Sequence, residues 1–74
     1  MKTATLQAKL GAAIRRRRLA LEFSQDSFAD AISMHRAYYS SIERGERNLT
    51  LATLERLAKG LGCKIFDLMQ DAAV

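Results

Sequence analysis

Proline is absent from this 74-residue chain and aromatic residues make up only 7% of it, while aliphatic residues and alanine are plentiful. Sheet proteins depend on β-branched and aromatic side chains, so this composition favours a compact helical domain. A chain of this length holds one domain, and no repeat, linker or low-complexity tract divides residues 1–74. The sequence therefore predicts a single all-α domain.

One cysteine and one histidine limit the chemistry that the chain can perform. A lone cysteine forms no internal disulfide and excludes a CxxC-type metal site. Cys63 itself lies at an apolar position between two predicted helices, as a buried small hydrophobe would. Without a nucleophile–base pair or a glycine-rich phosphate loop, the sequence offers no catalytic constellation. We therefore expect a non-enzyme with no metal, no cofactor and no small-molecule ligand.

The chain also lacks an apolar run of roughly 18 residues and a signal-peptide pattern, so we expect a cytoplasmic protein that does not enter a membrane. What it has instead is positive charge, with a net charge of +4 and a pI near 9.7. This charge suggests an anionic partner without selecting one.

Apolar residues recur with helical spacing in five segments. The five predicted helices cover about residues 4–21, 25–31, 35–44, 51–61 and 64–69. Ser24 and Thr50 are expected N-caps of the second and fourth helices. Gly45 and Gly62 follow the third and fourth helices, where a left-handed residue commonly ends a helix.

The second and third predicted helices form a helix-turn-helix, because they are short and a short turn joins them. Ala29 stands where a larger side chain would push the two helices apart. The inward positions of this unit are all apolar or aromatic: Phe28, Ile32, Met34, Tyr39 and Ile42. Ser33 occupies the turn position that normally favours glycine, and serine tolerates tight turns.

Several stretches of the chain resemble the Cro and phage-repressor-like (XRE) helix-turn-helix family. They are LGAAIRRRR (10–18), SQDSFADAI (24–32), SSIERGERN (40–48), LERLAKGLG (54–62) and IFDLM (65–69). The resemblance implies a five-helix, lambda-repressor-like DNA-binding fold. Within the family, HRAYYSSIERGERNLT (35–50) looks most like the small controller proteins of restriction–modification systems. The chain departs from the family pattern at Ser33, at Ala37, where a hydroxyl residue is common, and at Leu49, where proline is common.

The outer face of the third predicted helix carries the candidate DNA-reading residues. With Tyr39 and Ile42 inward, this face lies near the helix N-terminus, which is the part that a recognition helix inserts into the major groove. The candidate base-contacting residues are His35, Arg36, Ala37, Ser40 and Ser41. Arginine can contact guanine O6 and N7, and an alanine methyl can touch a thymine methyl. The alternative is an ordinary hydrophilic helix surface, and His35 could equally be a surface residue.

Four further residues are candidates for phosphate contact: Gln25, Tyr38, Arg47 and Asn48. Gln25 begins the second helix, where backbone N–H groups and the helix dipole attract phosphate. Tyr38 lies about 100° from the core position of Tyr39, so its hydroxyl can meet a phosphate. The family resemblance places residues such as Arg47 and Asn48 against the DNA backbone, although Asn48 could simply shape the turn.

The four consecutive arginines at 15–18 point all round the first helix. Arg18 falls near its inner face, and the family resemblance pairs this position with Glu43. Such a buried or half-buried ion pair would tie the first helix to the third. The other three arginines are expected to be solvated, where their field can steer the protein toward DNA.

The fifth predicted helix is the candidate dimer surface. Phe66 lies about 100° from Ile65, at a position that is usually polar in similar sequences, so a monomer would expose its ring. We expect a symmetric dimer built from the fifth helix and the end of the fourth. Phe66 and Met69 form its centre, Ile65 lies beside them, and Leu49 or Lys64 lies near the rim. The alternative is a single exposed phenylalanine.

Two functions fit these features. The first is a sequence-specific transcriptional regulator, such as a restriction–modification controller, that binds a palindromic operator in double-stranded DNA as a homodimer and could also contact RNA polymerase. The second is an antitoxin-type protein-interaction module with secondary DNA binding. Antitoxins of this fold usually need additional surface or a tail, and few residues lie outside the five predicted helices, which favours the regulator.

Overall fold

The computed structural model describes residues 5–73, which form five α-helices and no strand. The helices are α1 (Leu6–Ala20), α2 (Gln25–Ala31), α3 (Arg36–Glu43), α4 (Leu51–Leu61) and α5 (Ile65–Ala73). The all-α, five-helix prediction is confirmed. Residue 4, where the first helix was expected to begin, lies outside the described residues. Among the helices of residues 5–73, none is both long and apolar enough to cross a membrane.

Side-chain caps fix where the helices begin. Ser24 Oγ accepts a hydrogen bond from Ser27 N at 3.0 Å, and Ser27 Oγ accepts one from Ser24 N at 3.1 Å, so the two serines form a capping box at α2. Thr50 Oγ1 accepts a hydrogen bond from Thr53 N at 3.1 Å at the start of α4. Each cap of this kind contributes about 1 kcal/mol to stability.

The last helix is longer than the sequence suggested. It was expected to end near Met69, but α5 continues to Ala73. Leu68 and Ala72, four residues apart, are both buried, so the apolar stripe extends one turn further. Asp71 in that extra turn accepts a hydrogen bond from Arg17 of α1 at 2.6 Å.

The core lies between α1 and the other helices, and its largest fully buried side chains come from all five. They are Tyr39, Phe28, Ile14, Ile42, Leu57 and Leu68. The rings of Phe28 and Tyr39, whose centroids are 5.2 Å apart, join α2 to α3. This packing buries the inner faces of both short helices, which could not be stable alone.

A close approach between α1 and α3 requires glycine at position 11. A Cβ atom there would lie 2.5 Å from the carbonyl oxygen of Ile42 and 2.6 Å from that of Glu43. At the end of α3, Gly45 adopts φ +76°, a left-handed conformation that favours glycine. These two glycines set the distance of α3 from α1 and the point at which α3 ends.

Candidate nucleic-acid interface

Residues 32–34 connect α2 to α3 through a tight turn. Ile32 is the C-cap of α2, and Ser33 has a left-handed backbone with φ +55°. Met34 N donates to Ala29 O at 2.8 Å, and Ser33 N donates to Asp30 O at 3.0 Å. Although glycine is the usual residue in this conformation, the turn still forms with serine.

The exposed face of α3 gathers four of the five residues predicted to contact bases. A shallow depression of about 390 Å³ is lined by His35, Arg36, Ala37, Ser40 and Arg44. His35 caps the helix, because its Nδ1 accepts a hydrogen bond from Ala37 N at 3.2 Å. The depression thus runs along the exposed face of α3 from its N-cap to its C-cap. It includes the N-terminal part of the helix, with which a recognition helix contacts DNA.

Ser41 does not belong to this face, and the placement of Ser41 on the outer face is wrong. Its side chain is buried, with only 4% of the residue exposed. The loop after α3 folds back over it: Glu46 N donates to Ser41 O at 3.0 Å, and Arg47 Nε donates to Ser41 Oγ at 2.8 Å. Ser41 Oγ in turn donates to Tyr38 O at 2.6 Å. The residue holds the loop against the helix instead of facing a ligand.

Arg36 reaches back from α3 to α2. Its guanidinium forms an ion pair with Asp26, and the Arg36 side chain remains 68% exposed. The carboxylate therefore holds the arginine at the rim of the depression without removing it from solvent. Asp26 was not among the residues predicted for the site, because the sequence shows it only as a first-turn acid of α2.

Arg44 is a second residue of this face that was not predicted from the sequence. Its Nη1 donates to Ser40 Oγ at 2.8 Å, and its Nε and Nη2 donate to the Glu46 carboxylate at 3.0 and 3.1 Å. The spacing could have revealed it, because residues 36, 40 and 44 are four apart and share one helix face. Arg44 extends the positive face of α3 toward its C-terminus.

A buried carboxylate lies beneath this surface. Arg18 Nε donates to Glu43 Oε2 at 2.6 Å, and Arg18 Nη2 donates to Glu43 Oε1 at 3.1 Å. The two side chains are 6% and 3% exposed. The Tyr39 hydroxyl also donates to Glu43, and Gln25 Nε2 donates to its Oε1 at 2.9 Å. The Glu43 network of these four side chains connects α1, α2 and α3.

Burial and hydrogen bonding shift the pKa values of three residues in the Glu43 network. Burial alone would raise the pKa of the Glu43 carboxyl, but hydrogen bonds from Arg18, Tyr39 and Gln25 bring that pKa below its ordinary value. Burial and the hydrogen bond to Glu43 raise the pKa of Tyr39. The hydrogen bond to Glu43 raises the pKa of Arg18. Glu43 is therefore an anion and Arg18 a cation at neutral pH.

The residues predicted to contact phosphate all have defined partners within the chain. Gln25 is half-buried, and one of its two Nε2 hydrogens bonds Glu43. The Arg47 guanidinium lies 5.2 Å from the centroid of the half-buried Tyr38 ring, a cation–π arrangement. The Asn48 side-chain oxygen accepts a hydrogen bond from Gln7 of α1. Arg47 and Asn48 are exposed in the loop beyond Gly45.

The predicted dimer surface is also accessible. Phe66 is 67% exposed and Met69 is exposed, whereas Ile65 and Leu49 are half-buried against the core. A groove of about 200 Å³ lies beside Met69, and the residues lining it are Leu6, Gln7, Leu10, Asn48, Leu49, Leu54 and Met69. Leu6 of α1 is exposed and adds to this apolar surface, although it was not among the predicted interface residues.

No group of three metal-ligating side chains occurs among residues 5–73. Every buried side-chain nitrogen and oxygen in that part of the chain has a hydrogen-bond partner. Cys63 is half-buried, and burial raises the pKa of its thiol, so it is a weakly nucleophilic residue at neutral pH.

Comparison with known proteins agrees with this architecture. The family model described as "Helix-turn-helix" matches residues 14–68. The control protein C.BamHI of Bacillus amyloliquefaciens is 37% identical over 73 residues, covering 97% of this chain and 90% of that protein. The control protein C.MunI of Mycoplasma sp is 48% identical over 50 residues, or 68% of each chain.

Among solved structures, the tetramer of the restriction–modification controller protein C.Esp1396I in complex with its natural 35 base-pair operator superposes with a TM-score of 0.82. The two proteins are 32% identical, and the match covers 97% of this chain and 100% of that one. The fold and its surface thus define a DNA-binding helix-turn-helix protein. The chain belongs to the helix-turn-helix family and, within it, to the restriction–modification controller proteins, which regulate transcription.

Proposed function

We propose that this protein binds a palindromic operator as a homodimer and controls transcription from the adjoining promoter. The observation that carries the proposal is the exposed face of α3, where Arg36, Ala37 and Ser40 lie side by side around one depression. The Glu43 network holds this helix against α1 and α2. A rigid helix with such a face is suited to the major groove.

The contacts divide into two groups. Arg36 reads a guanine through O6 and N7, Ala37 contacts a thymine methyl, and Ser40 and His35 contact neighbouring base edges. Arg44 lies on the same face of α3 and contacts the same groove or its phosphates.

Phosphate contacts position the protein and come from residues around the recognition helix. Arg47 and Asn48 supply them from the loop after α3, Tyr38 through its hydroxyl, and Gln25 through its remaining amide hydrogen. Ser41 is not part of either group, since it is buried.

The small number of base pairs that one α3 helix can contact favours a dimer, and the exposed apolar residues of α5 favour that helix as the interface. One recognition helix reads too few base pairs for useful specificity, and two-fold symmetry places two of them on half-sites about 34 Å apart. Phe66 and Met69 offer the apolar centre, with Ile65 beside them and Leu49 at the neighbouring groove. Phe66 and Met69 are three residues apart on α5, and a contiguous exposed apolar patch is typical of an interface.

The proposal has further consequences for partners. A protein that controls a promoter is bound next to RNA polymerase, which is therefore a further partner. The proposed function places the protein in the cytoplasm and requires no catalytic reaction. The relative C.Esp1396I was solved as a tetramer on operator DNA, which supports assembly of several subunits on one site.

Selection of bound sequences from a random DNA pool tests this function. We expect one enriched palindrome whose half-sites are centred about one helical turn apart. Sedimentation of the selected duplex with the protein should show an even number of chains per site. Retention of DNA without any enriched sequence would contradict the proposal, as would an enriched site that lacks two-fold symmetry.

A further inference from the structure

Arg56 of α4 reaches across to the turn of the helix-turn-helix. Its Nε and Nη2 donate to Ile32 O at 3.2 and 2.9 Å, and its Nη2 also donates to Ser33 O at 2.5 Å. A single guanidinium thus bonds two consecutive carbonyl groups of the segment that links α2 to α3. No carboxylate is involved in this contact.

The first of these carbonyls belongs to a helix end and the second to a residue with an unusual backbone. Ile32 is the C-cap of α2, and the last carbonyl groups of a helix receive no hydrogen bond from within the helix. Ser33 holds a left-handed backbone that L-residues with a side chain seldom adopt. The planar fork of an arginine provides several donors in fixed directions, which a lysine cannot do.

The position of the turn decides how α3 faces DNA. His35 and Arg36 follow the turn within three residues, and they line the depression on the exposed face. A change in the backbone at Ile32 or Ser33 would rotate the start of α3, where the base contacts are concentrated.

We propose that Arg56 is a positioning residue for DNA reading, which fixes the α2–α3 turn against α4 without itself contacting DNA. The inference rests on the proposed function, because it assigns the consequence to operator recognition. It also explains how this chain keeps the geometry of the turn with serine in place of the usual glycine.

The test compares Arg56→Gln with Lys59→Gln. Both remove one positive charge from an exposed residue of α4, and only Arg56 contacts the turn. Affinity for the selected operator and for an unrelated duplex is measured over a salt series, at a temperature where circular dichroism shows both variants folded.

Arg56→Gln should reduce the ratio of operator affinity to unrelated-duplex affinity by about tenfold, and Lys59→Gln should leave the ratio unchanged. Arg56→Lys should fall between wild type and Arg56→Gln, because an ammonium group can bond one carbonyl but lacks the fork. The salt dependence should change equally in the two glutamine variants.

Two outcomes would overturn the inference. Equal loss for both duplexes, with a fall of about one in the salt slope beyond that of Lys59→Gln, would make Arg56 a phosphate contact. A lower melting temperature with an unchanged affinity ratio would make it a stabilising residue only.

Hydrogen exchange without DNA separates this inference from the proposed function. The Met34 amide, bonded to Ala29 O, should exchange faster in Arg56→Gln than in Lys59→Gln. If wild type prefers no DNA sequence, the proposed function fails, and faster exchange would still show that Arg56 holds the turn. Unchanged exchange would refute the contact itself.

Discussion

Arg18 of α1 and Glu43 at the end of α3 form a bidentate, buried ion pair with contacts of 2.6 and 3.1 Å. The pair joins α1 to the last turn of α3. Arg18 Nη1 also donates to Phe23 O at 2.7 Å, so the arginine fixes the chain that leads into α2. The orientation of the exposed face of α3 therefore depends on a contact made on the opposite side of that helix.

Removing either partner of this pair should destabilise the fold strongly. Arg18→Ala or Glu43→Ala leaves the other charge buried and unpaired, and such a loss costs about 3–5 kcal/mol of unfolding free energy. The double variant should lose much less than the sum of the two single losses. Urea unfolding of all three variants measures the coupling.

Arg17→Ala provides the control on the same helix. Arg17 pairs with Asp71, but both side chains are partly exposed, so its loss should cost about 0–1 kcal/mol. Strictly additive losses for Arg18 and Glu43 would show that the two side chains do not interact.

The contribution of Glu43 to the unfolding free energy should decrease at acidic pH. Its pKa is lower in the folded chain than the ordinary value of 4.5, so the stabilisation is complete above about pH 4.5 and is lost as the pH falls through the folded pKa. The difference in unfolding free energy between wild type and Glu43→Gln should be constant from neutral pH to about pH 5 and should shrink below pH 4.5. Denaturant unfolding at several pH values measures it.

Glu55→Gln makes the same chemical change on the exposed surface of α4, outside the Glu43 network. This control variant shows how the unfolding free energy changes when a carboxyl that has no buried partner is replaced by an amide. A wild-type-to-Glu43→Gln difference that stays the same from pH 7 to pH 3 would contradict the assignment.

Asp26 should tune DNA reading through Arg36. In Asp26→Asn the arginine loses its ionic partner, and a negative charge disappears from the surface that we propose faces DNA. We expect affinity for unrelated DNA to rise and the preference for the base pair that Arg36 reads to weaken. Stability should change by about 0–1 kcal/mol at most, since the ion pair is exposed. Unchanged preference at that base pair would show that Asp26 does not position Arg36.

Phe66→Glu should separate the dimer. The ring is exposed on α5, so a glutamate there can be solvated in the monomer but would be buried in the dimer. Sedimentation should show a folded monomer with much weaker operator binding. Leu21→Glu is the control, because Leu21 is an exposed leucine at the C-cap of α1; this variant should remain a dimer. A Phe66→Glu variant that still sediments as a dimer would place the interface elsewhere.

Local sequence signals predicted most of the fold. Helix α2 has the expected bounds, and Ser24 and Thr50 cap the helices that they were expected to cap. Gly45 and Gly62 both have the left-handed backbone expected at helix ends. These features depend on residues within four positions of each other, which is the range over which capping and periodicity act.

Several of the errors and omissions concern contacts between a helix and another segment of the fold. Helical periodicity placed Ser41 outward, but it could not show that the loop after Gly45 folds over that side chain. The sequence pattern did not indicate the contacts of Arg56 and Asp26, because Arg56 bonds the turn after α2 and Asp26 pairs with a residue of α3. Only the packing of α4 against the turn and of α2 against α3 brings these groups together.

The central claim is that α3 reads bases through Arg36, while the loop after α3 holds phosphates. Base preferences of Arg36→Ala and Arg47→Ala, measured on a library of single substitutions in the selected operator at several salt concentrations, test this claim most directly. Arg36→Ala should lose about 1–3 kcal/mol and relax one base pair per half-site. Arg47→Ala should weaken all sequences alike and lower the salt slope by about one. If both substitutions relax the same base pair, or if neither changes any base preference, Arg36 and Arg47 do not have these separate roles.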